Sequence, residues 1–148
     1  MLTMTNYLQK AHRISQYRVA DTVQTIEPGQ YFQLNDDKEW EYADGTKKAY
    51  PTLNVRLPAH GKAYQNELLQ GRDDVTQSGM ITCLAGNFVL GTTMYDLDET
   101  YEVGQALVVT DGGILKPFDS AKDEVHLIAG HVLEVPEIGV ESALVYEA

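Results

Sequence analysis

The chain has 148 residues, 43% of them hydrophobic and 22% charged, with a formal net charge of −11 at neutral pH. That length suits one domain able to bury a core without disulfides or metal. No run approaches the roughly 18 consecutive apolar residues of a membrane span, the start lacks a basic and then apolar leader, and the acidity repels phosphate backbones, so membrane, signal-peptide and nucleic-acid roles are not expected.

Residues 1–21 read as a polar N-terminal arm. Residues 1–20 hold Lys10, Arg13 and Arg18 and no acid. Tyr7, Ala11 and Ile14 fall at helical spacing, which predicts either a short amphipathic helix or a segment ordered only on binding. Residues 22–148 read as a single β-rich domain. Thr22–Ile26 is a predicted strand, closed by the turn Glu27-Pro28-Gly29-Gln30. Tyr31–Leu34 is the next. Glu39–Ala43 alternates, putting Trp40 and Tyr42 on one face and Glu39 and Glu41 on the other, ahead of the hairpin signal Asp44-Gly45. Tyr50–Leu57 alternates too, with Leu53, Val55 and Leu57 together and Pro51 marking an edge or strand end. Residues 59–74 form a predicted long loop with a helical turn around Asn66–Leu69.

The pattern is most regular over residues 75–148. Met80–Ala85, the turn Gly86-Asn87 and Phe88–Met94 predict a hairpin. Gln105–Thr110 turns at Asp111-Gly112-Gly113 into Ile114–Pro117. Val125–Val135 is a predicted long strand with a bend or bulge at Gly130. Ala143–Tyr146 closes the chain. Many short strands joined by Gly- and Asp-bearing turns predict an all-β fold, a small β-barrel or β-sandwich with an extended N-terminal arm.

Chemistry-bearing patterns are sparse. The single cysteine, Cys83, lies in an apolar run and reads as a buried hydrophobe in a reducing cytoplasm. His126 and His131 lie an odd spacing apart on one predicted strand, so they face opposite ways unless Gly130 makes a bulge, and no third ligand sits at a metal-site spacing. The acidic pairs Asp36-Asp37, Asp73-Asp74 and Asp123-Glu124, and the run Asp96-Leu97-Asp98-Glu99, read as solvated loops; the last lacks the spacing of a calcium loop. Asp111-Gly112-Gly113 is followed by no Lys-Ser/Thr and is not a phosphate loop. A lipoyl or biotin carrier would present a lysine at such a hairpin tip, and this tip has none. No catalytic centre, metal or cofactor is expected. Nine tyrosines suit an interface, Tyr7 and Tyr17 on the basic arm above all. A second reading is a ligand- or carbohydrate-binding module stacking sugars on Trp40 and Tyr42.

Gly79-Met80-Ile81, Gly86-Asn87-Phe88-Val89-Leu90, Asp96 and Tyr101-Glu102-Val103-Gly104-Gln105-Ala106-Leu107 follow one another in order. After them come Asp111-Gly112-Gly113-Ile114-Leu115, Ala129-Gly130-His131-Val132-Leu133-Glu134-Val135-Pro136 and Leu144-Val145-Tyr146. This succession, over about residues 75–148, resembles the capsid decoration (cement) proteins of tailed bacteriophages. The resemblance implies a non-enzymatic structural protein on the outer surface of the virion, made in the host cytoplasm. It implies a homo-oligomer, trimer favoured over dimer, that bridges subunits of the major capsid protein. The N-terminal segment of such proteins lies on the capsid floor, which casts Tyr7, Lys10, Arg13, Tyr17 and Arg18 as the capsid-binding arm.

Overall fold

The structure, a computed structural model, describes residues 2–6, 12–56, 79–137 and 142–148. The described residues form eleven strands and no helix, so the fold is all-β. In chain order these are β1 (Leu2–Asn6), β2 (His12–Ile14), β3 (Tyr31–Leu34), β4 (Trp40–Tyr42), β5 (Ala49–Pro51), β6 (Cys83–Ala85), β7 (Val89–Thr92), β8 (Ala106–Thr110), β9 (Ile114–Pro117), β10 (Ile128–Glu134) and β11 (Leu144–Glu147).

They make a six-stranded sheet in the order β1-β7-β11-β10-β8-β9, a three-stranded sheet β4-β3-β5 and the pair β2-β6. Every ladder is antiparallel. None of the sheets closes into a barrel; the arrangement is compatible with a sandwich. Within the large sheet, β8 and β9 are joined at Asp111-Gly112-Gly113, as the turn chemistry requires. The long strand β10 changes register opposite β8 between Ile128 and Gly130, the bulge expected at that glycine. The edge at β9 is covered by a parallel bridge from Tyr95 to Leu115.

Several sequence expectations are corrected. Met80–Ala85 and Phe88–Met94 are not a hairpin: β6 pairs with β2 while β7 pairs with β1 and β11. Gly86, at φ 101°, turns the chain from one sheet to another rather than back on itself. Asp44-Gly45 is not a hairpin turn either, because β4 and β5 flank β3 on opposite sides. Thr22–Ile26 is not a strand. A turn bond from Val23 N to Ala20 O and a single bridge from Ile26 to Arg56 replace the ladder. Val125–Leu127 precede β10 in a turn closed by His126 N donating to Asp123 O. The basic segment takes no helix where it is described. Residues 2–6 add an edge strand to the large sheet and 12–14 pair with β6, while Ile14 packs on the core. Leu57 and the turn expected at Asn66–Leu69 lie outside the described residues.

Burial divides into two clusters. One fills the large sheet with Leu90, Leu107, Leu115, Val132, Leu144 and Tyr146. The other holds Val19, Val23, Ile26, Phe32, Trp40, Ile81 and Cys83. Strand β6 serves both, because period-two alternation sends Cys83 into the second cluster and Leu84 into the first. Two close approaches lock the three-stranded sheet to the six-stranded one. A Cβ at Gly113 (φ 78°) would lie 2.2 Å from Tyr31 O, and one at Gly45 (φ 89°) would lie 2.2 Å from Val109 O. Tyr31 and Tyr146 share a buried hydroxyl–hydroxyl bond of 2.7 Å.

Candidate interaction surface

The five arm residues do not share one fate. Arg13, on β2, and Arg18, just beyond it, are exposed. Tyr17 is half-buried, its ring standing edge-on to Trp40 at 5.9 Å and 86°. It therefore serves the second core. Tyr7 and Lys10 lie outside the described residues.

Trp40 is fully buried between Tyr17 and Tyr50. Tyr42 lies against Phe32 at 5.4 Å and donates its hydroxyl to Thr25 O at 2.5 Å. The pair does share one face, but that face is the core side, so neither ring is available to stack on a sugar. An aromatic strand flanked by acids reads alike as platform or core; only the partners Val19 and Ile26, contributed from non-strand segments, decide between them.

His126 packs against Gly45 in the turn before β10, and His131 is exposed on β10. Among the described residues no three His, Cys, Asp or Glu side chains gather to hold a metal ion. Burial pushes the Cys83 thiol up to about 12, a hydrogen bond with Thr52 opposing it, so the thiol stays protonated at neutral pH.

Asp123 departs from the solvated loop expected of it. Its side chain is 1% exposed, with Lys116 Nζ at 2.7 Å and His126 Nδ1 at 3.8 Å. Asp119 N donates to it at 2.8 Å. Burial pushes this carboxyl up, but the Lys116 ammonium and the Asp119 amide outweigh it, and the carboxyl lies below its ordinary value. Asp123 thus organises the turn that presents β10. The tyrosines are likewise more structural than their number suggests. Tyr31, Tyr95, Tyr101 and Tyr146 are buried. Burial raises the phenols of Tyr31, Tyr101 and Tyr146.

What the sequence reading missed is the outward side of the long strand. Val125, Leu127, Ile128, Leu133 and Val135 are all exposed, with Val103 at 70%. Gly104 N donates to Val132 O and Val132 N to Gln105 O, which lays the 103–105 turn along β10. Part of the signal was present: one alternating register of Val125–Val135 is apolar at Val125, Leu127, Ala129, Leu133 and Val135, yet the core takes Val132 from the other. At the near end of β10 lies a small cleft of about 50 Å³, partly open to solvent. Tyr50, Pro51, Leu84, Phe88, Leu127 and Ile128 contribute to it, with exposed Lys47 and Lys48 alongside.

Among the described residues no helix is long and apolar enough to cross a membrane. Such a surface has the chemistry of a docking face, with apolar side chains, a few cations and an acidic surround. No family model, curated protein or solved structure matches this chain.

Proposed function

We propose that this chain is a structural virion protein that binds the outer surface of a phage head and bridges major capsid subunits as a homo-oligomer. The observation that carries it is the row of outward apolar residues at β10, Ile128 and Leu133 on the strand and Val135 just past its end, standing on the six-stranded sheet. Soluble monomers rarely leave such a row uncovered, so it supports a macromolecular partner. The stretches that resemble decoration proteins supply β7 to β11, the scaffold beneath that row. Exposed Arg13 and Arg18 add a basic element to an acidic body and suit a carboxylate-rich shell. The mechanism is mass action: many modest contacts, each spanning two subunits, favour the assembled shell.

Deleting residues 1–21 would also remove Val19 from the core, so substitutions separate binding from folding better. The test is co-sedimentation with expanded heads. Leu133→Asp with Val135→Asp should weaken binding at least about a hundredfold, the lower end of what two buried aliphatic side chains are worth. Arg13→Glu with Arg18→Glu should weaken it mostly at low salt. Unchanged binding of both double variants, or no binding by the unaltered chain, overturns the reading.

A further inference from the structure

Leu97 is 71% exposed at the tip of Asp96-Leu97-Asp98-Glu99, yet the tip is held firmly. Asp98 N donates to Asp96 Oδ1 at 3.0 Å, and Asp96 N to Leu115 O at 2.8 Å. The hydroxyl of Tyr101 donates to Asp96 O at 2.8 Å. An apolar side chain carried beside three carboxylates on an anchored loop is a plug whose backbone needs little further ordering on binding.

The cleft beside β10 has the opposite character. Its wall carries the exposed Leu127 and Ile128, and Lys47 and Lys48 stand beside it. Among the described residues neither lysine is in an ion pair; Lys48 lies only at 6.0 Å from the Tyr50 ring. Asp44, on the same loop, is engaged by Thr46, whose amide and hydroxyl both donate to it. In a chain of net charge −11, two copies repel unless unlike patches meet. Plug and cleft are complementary in charge and in polarity. They share no residue, so each copy can offer its plug to one neighbour and its cleft to another.

We propose that the Asp96–Glu99 loop of one copy docks in the Lys47/Lys48 cleft of the next, with Leu97 entering against Leu127 and Ile128. Such a contact is heterologous and generates a ring where its rotation closes. It supplies the oligomer that the capsid reading calls for, and either can fail without the other.

The test is sedimentation of the full chain over a wide concentration range. The mass of the unaltered chain should rise with concentration, less so in high salt. Leu97→Asp should weaken association at least about tenfold. So should Lys47→Glu with Lys48→Glu, and Asp98→Lys with Glu99→Lys. Combining the two charge reversals should restore most of it. All these positions are exposed, and circular dichroism checks that the variants fold. A single-chain mass at every concentration, association indifferent to Leu97→Asp, or no recovery in the combined reversal overturns the contact. Head binding by the same variants is scored separately: a monomeric variant that still coats heads leaves the capsid reading standing, while an associating chain that ignores heads removes that reading alone.

Discussion

In the six-stranded sheet, burial follows the ladders. Leu107 and Val109 of β8, Leu115 of β9, Val132 of β10 and Leu144 and Tyr146 of β11 are strand residues spaced at or near period two. Ala43, Phe88, Tyr95 and Tyr101 join that core from outside the strands, and around Trp40 such residues become the majority. Val19, Val23, Ile26 and Ile81 are buried there without belonging to a strand, and single bridges such as Val19 to Trp40 and Thr52 to Cys83 tie the pieces together. Regular ladders distribute stability over many equivalent bonds. A core gathered from turns leans on a few large side chains and on whatever fastens it to its neighbour.

If the second core depends on its fastening to the first, breaking that junction should have the largest effect. Gly113→Val forces a side chain into the Tyr31 backbone at φ 78°, and should cost more than about 4 kcal/mol in urea unfolding. Both halves should be lost together, so near-ultraviolet and far-ultraviolet transitions should coincide. Trp40→Ala empties the centre of the second core and should cost about 3–5 kcal/mol. A single transition in that variant keeps the halves one cooperative unit; two separated transitions would split them.

The Asp123 pair sharpens the contrast from the other side, because it steadies the turn at the head of β10. Asp123→Asn should cost about 2–3 kcal/mol, less than a fully buried pair since Lys116 keeps some solvent contact. The carboxyl lies lower in the folded state than in the unfolded chain. Its contribution is therefore complete above the unfolded value, about 3.9, and is lost as pH falls through the folded value. The difference between the unaltered chain and Asp123→Asn should be flat above about pH 5 and narrow below about pH 4. The smallest effect belongs to Tyr146→Phe, which leaves the Tyr31 hydroxyl unpaired across the junction, at about 1–2 kcal/mol.

The same contrast explains what the sequence disclosed. Strands β8 to β11, the Asp111-Gly112-Gly113 turn and the Gly130 bulge were legible because alternation and turn residues are local properties. The partition of β6 and β7 between sheets was not. Gly86-Asn87 is a turn signal whether the chain doubles back or turns a corner, and only the competing partners β2, β1 and β11 decide. Asp123 was misread for a similar reason: its partner Lys116 sits on another element, at the end of a hairpin. Of the interaction surface, Arg13 and Arg18 were visible as charge, whereas the cleft unites residues from 47 to 128 and has no local signature.

Strand β6 places its sulfur in the second core, where that half cannot loosen without exposing it. An alkylating reagent added to the folded chain should leave Cys83 untouched, and storage in air should yield no disulfide-linked pairs. Labelling then becomes a clock for the seam: its rate under native conditions, followed by mass, measures how often β6 swings free.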